Sequence, residues 1–275
     1  MKDKISLAGD LGSGKSTVSD ILIERLGAEY YSTGRIVRDI ASARKMTVVE
    51  LNVYMETHPE IDHEIDDGLK ALSELDKFLI IDSRMAWHFT RGTFKVYLSC
   101  DIETSALRIM NANRDGEHAA SLEKTVEDTR ARRKSEQKRY MEQYGVDIKD
   151  LTNYSLVLDT TYATPSEVAE TLIAAFEIWQ GDKSYTAAML SPERLNYADD
   201  EADVFEVQKR AEALDLDEEI PEVTVFEEDG EFFVVDGVES VLAYAINMER
   251  FVPARLIKKP CDLPVVKYVR MKDSL

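Results

Sequence analysis

The stretch Gly9-Asp10-Leu11-Gly12-Ser13-Gly14-Lys15-Ser16-Thr17 fits the pattern G-x-x-x-x-G-K-[ST] without a gap. Residues 4–8, just before it, have the composition of a short buried strand, and residues 15–26 have the spacing of an amphipathic helix. A glycine loop between a strand and a helix surrounds a polyphosphate with backbone N–H groups. The alternative is a glycine-rich turn without a ligand, which leaves the match of motif and context unexplained. The stretch therefore predicts a nucleoside triphosphate site.

The residue types within this loop predict separate roles. Lys15 is expected to place its ammonium group near the β- and γ-phosphates, and the Ser16 hydroxyl is expected to complete a Mg²⁺ shell. Asp82, at the end of a later apolar run, is the second candidate Mg²⁺ ligand. We therefore expect ATP and Mg²⁺ to bind here. The candidate nucleotide-binding residues are Gly9, Gly12, Ser13, Gly14, Lys15, Ser16 and Thr17.

The composition is that of a globular protein with one large domain or two ordinary ones. Of its 275 residues, 44% are hydrophobic and 32% are charged, which excludes a disordered chain. No apolar run approaches the ~20 residues that a membrane helix requires. The first predicted strand begins within a few residues of Met1, so we expect no signal peptide. The two cysteines, Cys100 and Cys261, provide no disulfide framework, which favours a cytoplasmic location.

The net charge of −19 argues against a general nucleic-acid binder, because phosphate backbones repel an acidic surface. Much of the acidic excess lies between Asp199 and Glu231. A charge run of this kind is usually a solvated face, and it predicts no function.

Strands alternate with helices along the first two thirds of the chain, which predicts an α/β fold with a five-stranded, doubly wound parallel sheet. In such a sheet the ligand lies at the carboxyl ends of the strands. The predicted strands are residues 4–8, 28–31, 78–82, 94–98 and 155–158. The predicted helices are residues 15–26, a helix through Arg38 and Ala41, charged helices in 45–75 and 103–140, and residues 165–179 beginning at Thr164-Pro165.

Two arginines follow the predicted strand ends. Arg38 comes shortly after the second strand, and Arg84 directly follows Asp82-Ser83 at the end of the third. Because these ends meet the glycine loop at one edge of the sheet, they favour a second phosphorylated ligand facing the triphosphate. The alternative is that both arginines form surface salt bridges.

An arginine-rich helix adds a second candidate group. Arg132, Glu136 and Arg139 are spaced i, i+4, i+7, so they share one helix face, with Arg130 and Arg133 close by. Arginine suits phosphate groups and base edges, because its planar fork makes paired hydrogen bonds. An ordinary salt-bridged helix explains the spacing equally well.

Ordered motifs from the glycine loop to about Trp179 resemble those of cytidylate kinases, most closely the compact archaeal-type branch of that nucleoside monophosphate kinase family. The motifs are Ser32-Thr33-Gly34-x-x-x-Arg38, His58-Pro59-Glu60-Ile61-Asp62, Asp82-Ser83-Arg84-Met85-Ala86-Trp87, Arg132-x-x-Ser135-Glu136-x-x-Arg139-Tyr140 and Tyr144-Gly145-Val146-Asp147-Ile148-x-Asp150. The resemblance implies transfer of the ATP γ-phosphate to CMP or dCMP. Two positions depart from the family, with Ser83 where glycine is usual and Ser155 where aspartate is common.

The resemblance also implies roles for the acceptor site. Arg132 would bridge the donor and acceptor phosphates, Glu136 would hold the ribose and Arg139 would read the cytosine. A lid over roughly residues 108–133 would close on the donor phosphates with Arg108, Arg114 and Arg130. The implied catalytic residues are Lys15, Arg130 and Arg132. The implied substrate-binding residues are Thr33, Gly34, Arg38, Arg84, Glu136 and Arg139.

A second domain is expected after a linker at residues 180–184, which divides the chain into residues 1–180 and 186–275. The predicted order in the second part includes a hairpin turn at Asp229-Gly230 and a helix after Gly237. It resembles the ParB-like and sulfiredoxin-like fold, but Glu239 stands where that fold carries phosphate-binding residues. We therefore expect a binding or assembly module without catalysis, which contacts a protein partner or a second copy. An appendage without a ligand is the alternative.

Two rival functions stay open at this point. The chain is a kinase for another small acceptor, or it is a nucleotide-sensing regulatory protein without turnover. The sequence does not determine the base and ribose preference or the oligomeric state.

Overall fold

The computed structural model describes residues 2–55, 57–112, 121–198, 202–261 and 268–271. Within these ranges the chain forms one eleven-stranded sheet and ten α-helices. The strands are β1 (Lys4–Gly9), β2 (Glu29–Ser32), β3 (Leu79–Asp82), β4 (Thr93–Ser99), β5 (Leu156–Asp159), β6 (Ala187–Leu190), β7 (Leu195–Ala198), β8 (Val223–Glu228), β9 (Glu231–Asp236), β10 (Val252–Ile257) and β11 (Tyr268–Arg270). The helices are α1 (Lys15–Leu26), α2 (Thr33–Ala43), α3 (Val48–Met55), α4 (Pro59–Ala71), α5 (Ala86–Phe89), α6 (Ile102–Asn111), α7 (Leu122–Tyr144), α8 (Pro165–Gly181), α9 (Val204–Asp215) and α10 (Val238–Ile246).

The sheet order is β11-β7-β9-β8-β10-β6-β5-β4-β1-β3-β2. From β2 to β6 all neighbours are parallel, and β1 lies between β3 and β4. The chain therefore crosses from one side of β1 to the other, and the carboxyl ends of β1, β3 and β4 meet at this switch point. This is the edge at which a doubly wound sheet binds its ligand.

The central strands are buried because helices cover both faces of the sheet. All six residues of β1 are buried. On one face, Val18 and Leu22 of α1 and Leu172 of α8 pack against the strands in one hydrophobic cluster. The side chain of Thr164 caps α8, and Glu167 completes a capping box with it, as the Thr164-Pro165 pair predicts.

The five predicted strands and the helix pattern of the first part are confirmed to within a few residues, but the size of the sheet is not. The predicted five-stranded sheet is an eleven-stranded one. Residues 103–140 form two helices, α6 and α7, and Pro59 begins α4. Arg114 lies outside the described residues.

The strands of the C-terminal part extend the same sheet. β6 pairs in parallel with β5, and β10 pairs antiparallel with β6. The predicted hairpin is present between β8 and β9, with Asp229 and Gly230 both at positive φ. Because β6 takes up the second edge of β5, the C-terminal strands continue the sheet of the first part, and the division into two domains stays a prediction.

One hydrophobic cluster also crosses the boundary between the two parts. It contains Trp87, Tyr97, Tyr154 and Val157 from the first part. Their partners from the C-terminal part include Ala188, Leu190, Val225, Phe232 and Ala254. The resemblance to the ParB-like fold stays a prediction, and the units 1–180 and 186–275 share both a sheet and a core.

Across the described ranges, none of the helices is both long and apolar enough to cross a bilayer.

We expect deletion of residues 182–275 to destabilise the rest of the chain, because it uncovers the shared cluster and the edge of β5. Burial of one large apolar side chain contributes about 1.5–3 kcal/mol, so the melting temperature should fall by more than about 10 °C. Thermal unfolding followed by circular dichroism measures this. An unchanged melting temperature would mean that residues 1–181 fold as an independent domain.

Candidate active site

The glycine loop turns tightly between β1 and α1. Gly12 has φ 73°, and a Cβ on it would lie 2.6 Å from the carbonyl oxygen of Ser105 in α6. Gly14 has φ 82° and directly precedes α1, with open space where its Cβ would stand. The loop therefore packs on α6 on one side and leaves its other side open for a ligand.

The first turn of α1 is available to an anion. Within the described part of the chain, no side chain caps this turn and no acidic residue lies in it. The hydroxyl-bearing residues Ser16 and Thr17 are exposed there. Free N–H groups and the positive end of the helix dipole favour phosphate at such a position.

Lys15 folds back onto the loop. Its Nζ donates to the carbonyl oxygens of Gly9 and Asp10 at 3.0 and 2.7 Å, and to Ser13 Oγ at 3.4 Å. Burial, and next the charge of Arg84, lower the pKa of Lys15 to about 8. An approaching polyphosphate would reverse this shift, since a negative charge favours the ammonium form. The loop therefore fits a triphosphate.

Asp82 lies at the end of β3, beside the glycine loop. Tyr30 Oη donates to Asp82 Oδ2 at 2.9 Å, and the carboxylate charge acts on Lys15. Burial and Asp82 raise the pKa of Tyr30 to about 12, so this hydroxyl stays a donor. The described residues contain no cluster of three or more acidic, histidine or cysteine side chains that could hold a metal alone. The assignment of Ser16 and Asp82 as Mg²⁺ ligands therefore stays a prediction, and it relies on the fact that Mg²⁺ binds few protein ligands together with phosphates and water.

Arg84 is joined to α7 by a two-point ion pair. Its Nε and Nη2 donate to the two carboxylate oxygens of Glu136 at 2.5 and 3.2 Å, and its Nη1 donates to Gly9 O at 3.4 Å. Arg132 Nε donates to the same carboxylate at 3.3 Å. Although burial favours the neutral acid, Arg84 and Arg132 hold the pKa of Glu136 below its usual value. Glu136 therefore stays ionised and fixes Arg84 beside the glycine loop.

A second pocket lies between α2, α4, α7 and the end of β3. Its lining residues are Thr33, Val37, Met55, Asp62, Ile65, Asp66, Leu69, Ser83, Met85, Arg139 and Tyr140. Burial raises the pKa of Asp62, and the charge of Arg139 opposes that shift. Arg139 Nε is buried without a hydrogen-bond partner among the described residues. The pocket thus pairs a carboxylate acceptor with an arginine donor.

Thr33 connects this pocket to the end of β3. It lines the pocket, and its Oγ1 donates to the carbonyl oxygen of Asp82 at 3.4 Å. Arg38 is exposed one turn further along α2, and its Nη1 would lie 3.6 Å from a Cβ on Gly34. Gly34 lies at the start of α2 and Arg38 near its middle, and both are outside the pocket lining.

The predicted lid arginines lie in different places. Arg108 Nη2 donates to the carbonyl oxygens of Thr160 and Thr161 at 2.7 and 3.2 Å, and its Nη1 donates to Gly12 O at 3.5 Å. These contacts place Arg108 beside the glycine loop, and its lid role stays a prediction. Arg130 is exposed on α7, and its described contacts do not join it to the other site residues.

The sequence motifs gave no role to the buried carboxylate of Asp10. Tyr97 Oη and Lys149 Nζ donate to its Oδ1 at 2.8 and 2.6 Å, and the Cys100 backbone N–H donates to its Oδ2 at 3.0 Å. Asp10 occupies a variable position of the glycine-loop pattern, and Lys149 occupies the variable position of the motif that runs from Tyr144 to Asp150. Asp62 lies in the motif His58-Pro59-Glu60-Ile61-Asp62, but the sequence assigned it no binding role.

The glycine loop, the open α1 N-terminus and the β2-β3-β1-β4-β5 order define an ATP-dependent phosphotransferase. The cytidylate kinase-like family model matches residues 4–162. The cytidylate kinase of Thermoplasma volcanium is 34% identical over 191 residues, which are 68% of this chain and 98% of that protein. The chain therefore belongs to the cytidylate kinase-like family, which confirms the resemblance.

Other similar proteins differ in name. The S-adenosylmethionine-dependent nucleotide dehydratase of Lacinutrix mariniflava is 35% identical over 64% of this chain, which is 36% of that protein. Among solved structures, a shikimate kinase from Bacteroides thetaiotaomicron covers 64% of this chain and 98% of its own at 15% identity and a TM-score of 0.45. A sulfiredoxin from Arabidopsis thaliana covers 27% of this chain and 86% of its own at 14% identity and a TM-score of 0.25. At TM-scores of 0.45 and 0.25, neither similarity establishes a property of this chain.

The lowered pKa of Lys15 predicts that binding of Mg·ATP takes up a proton above pH 8. The free protein loses its ammonium charge as the pH rises through about 8, so the Kd of Mg·ATP should increase roughly tenfold between pH 7 and pH 9. Calorimetry in buffers of different ionisation enthalpy measures the uptake. Lys15→Met should bind weakly at both pH values, and wild-type binding without proton uptake would contradict the prediction.

Proposed function

We propose that this protein transfers the γ-phosphoryl group of ATP to CMP or dCMP. The observation that carries the proposal is a second pocket, with Arg139 and Asp62 in its lining. Its lining residues Ser83 and Met85 flank Arg84, which contacts the glycine loop at Gly9. A phosphotransferase needs its two substrates side by side, and this arrangement provides two adjoining sites.

The donor site would use the glycine loop and the start of α1. Lys15 would exchange its bonds to the loop carbonyls for the β- and γ-phosphates. Ser16 and Asp82 would hold Mg²⁺, which neutralises charge on the transferring group when bound. Thr17 and the loop N–H groups would complete the phosphate contacts.

The acceptor phosphate would lie between the two sites. Arg84 is fixed by Glu136 with one guanidinium nitrogen turned to Gly9 O, and Arg132 is 42% exposed beside it. Both can therefore approach the phosphate groups from the α7 side. Arg38 and the first turn of α2, with Thr33 and Gly34, would contact the acceptor phosphate from the opposite side.

The base would enter the pocket of Asp62 and Arg139. Cytosine presents an amino donor at N4 and acceptors at N3 and O2, whereas uracil presents an acceptor at O4 and a donor at N3. A carboxylate beside an arginine complements cytosine and repels uracil at one of these positions. The pair therefore supports a cytidine nucleotide as the acceptor.

The reaction requires no covalent intermediate with the protein, which would act by positioning the substrates and stabilising charge. An acceptor phosphate oxygen attacks the γ-phosphorus in line, the bond to the ADP oxygen breaks, and a nucleoside diphosphate and ADP result. The acceptor phosphate is already ionised near neutral pH, so no strong general base is required. Lys15, Arg84 and Arg132 would stabilise the charge on the transferring group, with Arg130 on the open side of α7.

Coupled ADP release tests the proposal, with Mg·ATP and CMP, dCMP, UMP, AMP or GMP. We expect the highest kcat/KM with CMP or dCMP, and a loss of at least about a hundredfold in Lys15→Ala. Lys138→Ala is the control, because this lysine is 73% exposed on α7. Binding of ATP and CMP without turnover would overturn the kinase assignment in favour of a nucleotide sensor.

We expect Asp62→Asn to reduce the preference for CMP over UMP by about tenfold or more, because the amide can donate to uracil O4. Arg139→Met should weaken cytidine nucleotides more than purine nucleotides. Asp67→Asn is the matched control on α4, since Asp67 is 75% exposed, pairs with Lys70 and lies outside the pocket lining, so the base preference should not change. The ratio of kcat/KM for CMP to kcat/KM for UMP measures this preference in each variant. Equal losses for every base in Asp62→Asn would contradict the base-reading role.

A further inference from the structure

Asp10 connects the glycine loop to the structure beneath it. Its side chain is 4% exposed and carries the contacts to Tyr97, Cys100 and Lys149, with Arg133 Nε at 3.6 Å. Its backbone carbonyl accepts the 2.7 Å hydrogen bond from Lys15 Nζ. The same residue therefore anchors the loop through its side chain and holds the phosphate-binding lysine through its main chain.

The charge of Asp10 requires Lys149. A buried carboxylate is stable only when it is paired and hydrogen-bonded. Lys149 Nζ lies 2.6 Å from Asp10 Oδ1 and 2.6 Å from Tyr97 Oη, whereas Arg133 is more distant. Lys149 is thus the principal counter-charge of this carboxylate.

The segment that carries Lys149 lies between α7 and β5. Asp147 Oδ1 accepts hydrogen bonds from the Lys149 backbone N–H at 2.8 Å and from Gln137 Nε2 of α7 at 2.9 Å. Asp150 Oδ2 pairs with Lys258 Nζ, just after β10, at 2.9 Å. The segment is therefore tied to the arginine helix on one side and to the C-terminal strands on the other.

The C-terminal strands also reach Lys149 through packing and charge. Leu151 and Tyr154 belong to the hydrophobic cluster that includes Val225 and Phe232. Burial raises the pKa of Glu227 on β8, and the charge of Lys149 opposes that shift. Since Lys258 is 75% exposed, its ion pair is worth little by itself, and the packing carries most of this connection.

We propose that Lys149 is a positioning residue for the glycine loop, and that the C-terminal strands hold it against Asp10. These strands then serve the ATP site of the chain and are not a detachable appendage. The proposal rests on ATP binding at the glycine loop and not on the identity of the acceptor, so its failure is distinct from that of the proposed CMP kinase activity.

A double-mutant cycle on the full chain tests the first half of the proposal. Lys149→Met leaves the Asp10 carboxylate buried with a distant partner, so the Kd of Mg·ATP should rise at least about tenfold. Asp10→Asn combined with Lys149→Met removes both charges, and it should restore the Kd to within about threefold of the wild-type value. The KM for CMP should stay within twofold throughout. Failure of the double variant to restore ATP binding would overturn the positioning role.

Two neighbouring glutamates of β8 test the second half. Glu227→Lys replaces a carboxylate on which the charge of Lys149 acts by a positive charge that repels Lys149, so the Kd of Mg·ATP should rise about fivefold or more. Glu228→Lys is the matched control, because Glu228 is 45% exposed and pairs with Lys259. Glu227→Gln keeps an acceptor for the Gly230 backbone N–H and should stay close to the wild-type value. Equal effects of Glu227→Lys and Glu228→Lys would overturn the link to the C-terminal strands, even if Lys149→Met fails to fold.

Discussion

The site depends on the contacts made by the buried carboxylate of Asp10. It is held by a tyrosine hydroxyl, a backbone N–H and Lys149, and its own carbonyl holds Lys15. A carboxylate in such a place stays charged because Lys149 and Arg133 outweigh the effect of burial and keep the pKa of Asp10 well below its usual value. The glycine loop is consequently shaped before a nucleotide arrives, and preorganised donors are what phosphoryl transfer requires.

Arg84 is likewise held in position by the folded protein, through its ion pair with Glu136. Its ion pair with Glu136 spans the gap between the end of β3 and the middle of α7, and both side chains are about one-fifth exposed. This pair positions an arginine beside the glycine loop. A free arginine there would lose side-chain entropy on every binding event, whereas this one has already lost it on folding. The family membership and the nucleotide-binding loop thus agree on a phosphotransferase.

The central sheet of the protein extends through the C-terminal part. A single core joins Tyr97 and Tyr154 to strands that follow residue 186. The sequence showed the hairpin at Asp229-Gly230 and the helix after Gly237, because turn geometry and helix starts depend on local residue types. It did not show that β6 would pair with β5, since strand pairing depends on contacts between segments that are distant along the chain.

The sequence by itself determined the glycine loop, the parallel strands around β1, the polar residues at strand ends and the arginine face of α7. Each of these features follows from the local order and spacing of residue types, which determine the local backbone conformation and the face on which a residue lies. The tertiary structure alone decided that Lys149 meets Asp10, that Glu136 holds Arg84 and that Asp62 shares a pocket with Arg139. It also decided that Arg108 supports the loop from below. These pairings join residues far apart in the chain, so only the packing of helices against one continuous sheet brings them together.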